Sequence, residues 1–384
     1  MTAPMQDILD PEVLTETVTE NAATSDWLMM RFGCQPGGVN EVDEGHGRRG
    51  GYDIYNNILY GGGGRAPGTS AGRGKNQKIG EVNYTYPRHF RMQSLLGETV
   101  HNQGTVGNHS RRDIAGANWI RRQTASAGQI LSNWRKAMFV GMLRDTLHAA
   151  YDGDDVLWQF DDGGGALLPV FPVNARIPDS NKNRLDMLEQ GAIIDASWSV
   201  ATTNIPKQLN QINAAFQSLC GGYLSTCLVD AETWSHVIAN EHVIQQSGSS
   251  NSPWLTYSFD HEEQLARTMK NVQTYTLRSN PSVTWHVTDE VIEIGSESEP
   301  KREKIIPDNQ CIFIGHSPDD GTVTMNLGSE PVVQYEDGPE TTPAGIVSWS
   351  RKRANPAKTE IYTLDNALPV TRVPKSRAIG EVIF

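Results

Sequence analysis

The chain has 384 residues with a formal charge of −12, 36 glycines and 20 prolines, and 38% of its residues are hydrophobic. That acidity excludes a sequence-independent nucleic-acid binder, which needs net positive charge to displace counterions from phosphate. No run of 18 apolar residues occurs, so no membrane-spanning helix is expected, and the first residues lack the basic, apolar and small-residue order of a secretion signal.

The length allows two or three domains, and the Gly and Pro content predicts much loop and extended strand. Cys34, Cys220, Cys227 and Cys311 form no CxxC pair and have no histidine at zinc spacing, so buried free thiols are expected.

Charge is unevenly distributed along the sequence. Residues 1–45 hold nine acids (Asp7, Asp10, Glu12, Glu16, Glu20, Asp26, Glu41, Asp43, Glu44) against Arg31, a net of −8. A short helix is expected around Glu12–Asn21. An apolar knot follows at Trp27, Leu28, Met29, Met30 and Phe32, which suits an arm that docks on something. Residues 47–93 reverse the sign, with eight bases against Asp53 and Glu81, a net of +6. Two strand-like runs, Tyr52–Tyr60 and Lys78–Tyr86, flank GGGGRAPGTSAGRGKNQ and predict a long two-stranded hairpin with a Gly-rich tip. Such a hairpin has no core and is marginal alone in water, so it needs another surface to lie on.

Three motif matches in and near this region fail on context. Gly68-Thr69-Ser70-Ala71-Gly72 fits a nucleophile elbow but lacks the preceding strand and following helix. Gly74-Lys75-Asn76 lacks the upstream glycine and the Ser or Thr of a phosphate loop. Asp152-Gly153-Asp154-Asp155 has Gly163 where a calcium loop needs its twelfth-position Glu.

From Ser110 to Tyr151 there is no proline, and Ile120, Thr124, Ala127, Leu131, Trp134, Met138 and Met142 recur in steps of three and four. This predicts one helix of roughly 60 Å, capped by Ser110 and ended by Asp152-Gly153. Its bases (Arg111, Arg112, Arg121, Arg122, Arg135, Lys136, Arg144) outnumber Asp113 and Asp145, and two readings stand: a solvated helix with a core face, or a spine whose wet face meets acidic partners.

Beyond it, Val156–Phe160 is expected as a strand, Ala166–Phe171 as an extended crossing and Leu185–Gly191 as a helical turn. Ile193–Val200 reads as strand, Ile205–Leu219 as a helix with Pro206 in its first turn, and Tyr223–Val229 as strand. Asp230 caps a predicted helix over Ala231–Asn240, and a third helix is expected around His261–Asn271. His261, Glu262 and Glu263 fall on different helix faces and read as solvated, not as a metal or acid–base cluster. Strands are expected at Val283–Val287, Val291–Ile294, Lys304–Ile306, Cys311–Ile314, Thr322–Leu327 and Val332–Tyr335. Residues 345–350 and 358–364 form two further expected strands joined by the basic turn Arg351-Lys352-Arg353. Ala367–Pro374 is extended, and Ile379–Phe384 closes a sheet.

This order of acidic arm, basic hairpin, very long helix, α/β domain and terminal sheet resembles the major capsid proteins of tailed bacteriophages, which share the Hong Kong 97-like fold. The second half is most similar to the lambda-type capsid proteins. The carrying residues are the Trp198 run, IPKQLNQINAAF, STCLVDAETWSHVIANEHV, VTWHVTDEVIEIG with KIIPDNQCIFIG, and the terminal LPVTRVPKSRAIGEVIF.

The resemblance implies an α+β fold in five parts: an N-terminal arm (1–46), a β-hairpin E-loop (47–93), a peripheral domain with its spine helix (94–194, the helix at about 111–151), an α/β axial domain (195–335), and return strands (336–384). It implies a coat protein that self-assembles into an icosahedral shell around double-stranded DNA, in the virion after assembly in the host cytoplasm. The competing reading is an encapsulin-like nanocompartment shell. No enzyme activity, cofactor, metal or membrane is implied. Partners would be further copies in hexamers and pentamers, scaffolding, portal and decoration proteins, and packaged DNA contacted only non-specifically. Inter-subunit contacts are expected at Tyr52, Tyr55, Arg65, Arg73, Lys75, Lys78, Tyr84, Tyr86, Arg121 and Arg122. The charge map adds one expectation: the arm of one subunit lies against the hairpin or spine of its neighbour.

Overall fold

A computed structural model describes residues 10–23, 26–43, 49–55, 78–85, 88–96, 109–145, 147–152, 155–160, 171–173, 176–246, 254–256, 272–295, 300–316, 321–329, 344–354 and 357–384. The chain begins with α1 (Pro11–Ala23), α2 (Trp27–Arg31) and β1 (Glu41–Asp43), and continues with β2 (Arg49–Tyr55), β3 (Lys78–Thr85) and β4 (Arg88–Leu96). The long helix α3 (His109–Arg144) precedes β5 (Leu147–Asp152), β6 (Asp155–Phe160), β7 (Phe171–Val173) and β8 (Lys182–Asn183). Then come α4 (Ile205–Cys220), β9 (Thr226–Val229), α5 (Ala231–Ala239), α6 (Glu241–Gln246), β10 (Trp254–Thr256), β11 (Gln273–Leu277) and β12 (Asn280–Val287). The remaining strands are β13 (Val291–Gly295), β14 (Pro300–Lys304), β15 (Gln310–Ile314), β16 (Val323–Leu327), β17 (Val347–Ala354), β18 (Ala357–Thr371) and β19 (Arg377–Glu381). The mixture of helices with mostly antiparallel sheets is an α+β fold.

The chain divides into two compact units: residues 1–51, 83–139 and 324–370 form one, and residues 52–82, 140–323 and 371–384 the other. In the first, β18 is the central strand of a five-stranded sheet that also holds β1, β16, β17 and β4. It pairs antiparallel with β17 from Val347↔Leu364 to Ala354↔Ala357, and antiparallel with β4 from Lys358↔Leu96 to Asn366↔Arg88. β1 adds to β16 in parallel. The predicted apolar stripe of the long helix is real: Ile120, Thr124, Ala127, Leu131 and Met138 are buried, and so is Met142 in the last turns.

α1 packs on this unit through Val18 and Ala22, which meet Ala127, Leu131 and Ile346. The crossing is at Gly128, where an added Cβ would stand 2.8 Å from the Val18 carbonyl oxygen and 2.8 Å from Asn21 Cβ. Only a residue without a side chain allows the two backbones so close.

In the second unit a seven-stranded mixed sheet runs β10-β11-β12-β9-β15-β19-β8. Its core holds Trp198, Trp285, Phe313 and Phe216 with Leu209, Ile212 and Val237 from α4 and α5. Trp198 lies 6.2 Å from both Trp285 and Phe313 between ring centroids. α4 starts as expected, with Pro206 in its first turn and Asn204 accepting from the Lys207 N–H, and ends at Gly221 with φ 70°. Asp230 caps α5 by accepting from the Thr233 N–H. β5, β6 and β7 form a three-stranded sheet, and β13 with β14 a two-stranded one. β19 lies second from the edge of the seven-stranded sheet, antiparallel to β15 and parallel to β8.

Several expectations are corrected. The long helix stops at Arg144, because Asp145 turns left-handed at φ 54° and Leu147–Asp152 becomes a strand pairing with β6 and β7. Ile193–Val200 is not a strand: Trp198 is held by its N–H to the Val382 carbonyl and by its indole to Gln208, and the segment turns back on itself. Leu185–Gly191 forms turns, with Leu185 and Glu189 at positive φ, in place of helix. Lys304–Ile306 is displaced: the strand is Pro300–Lys304, set by pairing with β13. Arg351-Lys352-Arg353 is no turn but part of β17, opposite Glu360, Thr359 and Lys358. Arg88–Leu96, at the end of the predicted hairpin region, is a strand of the subunit's own sheet. The predictions at Ala166–Val170, His261–Asn271 and Val332–Tyr335, and the hairpin tip over 56–77, lie outside the described residues.

Candidate functional site

The arm is fastened to its own chain. Two neighbouring bases of the long helix each grip one of its acids. Arg135 has no exposed side-chain surface; its Nε and Nη2 donate to the two carboxylate oxygens of Asp365 at 2.7 and 2.8 Å, and its Nη1 donates to Glu41 Oε1 at 2.7 Å. The other Glu41 oxygen accepts from the Gly37 N–H at 2.6 Å. Lys136 Nζ stands 2.5 Å from Asp26 Oδ2, and Asp26 Oδ1 caps α2 by accepting from the Met29 N–H.

A fork-on-carboxylate pair is the strongest geometry available to a buried guanidinium. Burial by itself pushes the Arg135 pKa down, and the Asp365 and Glu41 carboxylates outweigh it, so the net movement is upward. A third fastening is neutral: Thr15 Oγ1 donates to the Ser348 carbonyl at 3.2 Å and accepts from the Ser348 N–H at 2.9 Å. This pins α1 beside β17. The apolar knot lies beneath, with Trp27, Leu28, Met29 and Phe32 buried and the Phe32 ring 5.2 Å from Phe139.

On the long helix Arg121 and Arg122 are exposed, whereas Arg135 and Lys136, expected on the solvated face, are buried. The period already put Arg135 and Lys136 close to the apolar stripe, next to Trp134 and Met138; their long stems pack apolar while their heads find acids. Within the chain, Asp26, Glu41, Val18 and Ala22 of the arm are taken up by its own long helix, so these groups are not offered to a neighbour.

Of the other expected contact residues, Tyr52 and Tyr55 lie on β2, and Lys78 and Tyr84 on β3; among the described residues these strands pair with each other alone, as a two-stranded ribbon. Arg65, Arg73, Lys75 and Tyr86 lie outside the described residues.

Nothing convergent enough for catalysis is assembled among the described residues, and no group of three His, Cys, Asp or Glu there could hold a metal. No helix among them is long and apolar enough to cross a membrane. All four cysteines are free and buried, and burial with a hydrogen bond to Cys227 holds the Cys311 thiol well above its ordinary pKa. Such thiols are inert.

No family model matches the chain, and no curated protein matches it by sequence. Solved structures similar in fold include a protein described as a prophage capsid protein from E. coli CFT073, with 12% identity, 80% of this chain and 81% of that one covered, and a TM-score of 0.47. A phage-related protein from Bordetella bronchiseptica RB50 matches with 10% identity over 99% and 97% of the two chains at 0.47. The mature capsid of bacteriophage PhiM1 matches with 9% identity over 89% and 85% at 0.40.

Proposed function

We propose that this chain is the major coat protein of a tailed bacteriophage, a non-enzymatic subunit that self-assembles into the shell enclosing double-stranded DNA. The observation that carries the reading is the β2–β3 ribbon. Among the described residues it pairs with no other strand, its two strands are joined through the Gly-rich basic stretch 56–77, and a lone hairpin of that kind is marginal in water. A chain that retains such a ribbon beside two well-packed units gains its order from further copies of itself.

The fold supports this in two ways. The arm and long helix are locked into one rigid joint, and a second, α/β unit supplies a separate body for contacts around a symmetry centre. Net acidity keeps the inner wall from adhering to the packaged DNA. Within the same reading fall the arrangement in hexamers and pentamers, service by scaffolding, portal and decoration proteins, and assembly in the host cytoplasm. Electron microscopy and gel filtration of the expressed protein test it: rings or shells of megadalton mass are expected, and a stable monomer at all concentrations refutes it.

A further inference from the structure

Four of the arm's acids fall into two contrasting pairs. Asp26 and Glu41 point inward and are consumed by Lys136 and Arg135 of the same chain. Glu12 and Glu16, four residues apart, stand exposed on the opposite side of α1 from Leu14 and Val18, with the half-exposed Val13 beside them. On the long helix Arg121 and Arg122 are exposed, and the solvent stripe that continues from Arg122 through Ser126, Gln129 and Asn133 carries no acid. Neither glutamate forms an ion pair with either arginine within the chain, and α1 crosses the long helix at Gly128, roughly 9 to 11 Å along the axis from Arg122 and Arg121. One body thus presents an acidic helix face and a basic helix face that do not satisfy each other.

From this we infer that the outward face of α1 docks on the Arg121–Arg122 end of the long helix of a second copy of this chain. A patch on one subunit that fits a different patch on the next is a heterologous contact, and such contacts propagate into closed rings when the rotation closes. The inference rests on the coat-protein reading and names the partner of its arm. The buried face of α1 fixes where the glutamates point, so the charge match acts on a preformed surface and not on a loose tail.

Charge-swap complementation tests it on the full-length protein. Glu16→Arg and Arg122→Glu are made separately, each with a thermal melt to establish that the subunit folds. Glu16 is chosen over Glu12 because Glu12 also sits in the first turn of its own helix, where negative charge is favourable. Each variant alone is expected to lower shell yield about tenfold at low salt, where screening is weakest and the same contact recurs in every subunit. Mixing the two, or combining both changes in one chain, is expected to restore it, which a merely structural role would not do. If either variant fails to melt like the wild type, the neutral pair Glu16→Gln and Arg122→Gln replaces it, with reduced yield and a flattened salt dependence expected. Wild-type yield from both single variants, or well-folded variants that no mixture rescues, overturns the inference. A wild-type protein that forms no shell at all sinks the coat-protein reading instead.

Discussion

Replacing Asp365 by asparagine removes one charge from a site whose side chains are closed to solvent. Arg135 and Asp365 both have side chains without exposed surface, and they share two hydrogen bonds of 2.7 and 2.8 Å. Removing one partner of a buried pair costs about 3 to 5 kcal/mol, because the other charge is left in a poor solvent. Glu41, with 14% of its side chain exposed, still faces Arg135, so the lower end applies, about 3 kcal/mol. That is a large fraction of the roughly 5–15 kcal/mol that holds a domain together.

A global melt would blend the two compact units, so the assay is native-state amide exchange. Protection over 131–139 and 357–366 should fall by about a hundredfold, at 1.4 kcal/mol per factor of ten, while α4 and β9 are unaffected. The double variant Arg135→Met with Asp365→Leu should recover most of the loss, since packing replaces the pair. Exchange in Asp365→Asn less than threefold faster than wild type would show that the pair carries little of this unit's stability, and the reasoning from burial would be wrong.

Thr15→Val leaves the Ser348 N–H and carbonyl without their partner and should cost about 1–2 kcal/mol, read as faster proteolytic release of the arm. Gly128→Leu should weaken the same docking by about 1–3 kcal/mol, because the obstructing atoms are backbone and cannot swing aside; an arm as resistant to protease as wild type would contradict the close crossing. For Lys182, burial lowers the pKa but hydrogen bonds and charge from Asp145 and Asp179 outweigh it, so it is raised. A raised folded pKa stabilises below the unfolded value of 10.5, and the contribution disappears as pH climbs through the folded value. The stability gap between wild type and Lys182→Met should therefore be flat from neutral pH and close above 10.5; a gap that widens with alkali would reverse the sign. Neutralising Arg65, Arg73, Lys75 and Lys78 together should reduce shell yield at low salt, and unchanged yield would remove the basic hairpin from assembly.

What the sequence revealed, and what it hid, follows from the range of each interaction. The stripe on the long helix, Pro206 in the first turn of α4, and Asp230 at the start of α5 were legible because each is decided within a turn or two of the chain. The end of the long helix was misread because the next strong breaker, Asp152-Gly153, is obvious, whereas Asp145 breaks by adopting positive φ and the following residues are recruited by β6. Arg135 and Lys136 looked solvated because their acids lie in distant segments: Glu41 and Asp26 stand more than 90 positions away, and Asp365 is 230 positions away. β18 was foreseen at half its span, since Pro369 signals a break; the proline falls beyond the residues that pair with β17 and β4, where the chain stays extended. Pairings such as β8 with β19 leave no local trace at all.

The place of β19 has a consequence for folding. This strand lies between β15 and the two-residue β8 in the seven-stranded sheet, and between β15 and β19 the chain leaves this unit to build β17 and β18 of the other. The open ladder of β15 therefore waits for a partner more than 60 positions further along, from Ile314↔Arg377 to Gln310↔Glu381. An edge left open that long is a template for the wrong strand, and the long separation, more than any local preference, governs how quickly the sheet closes.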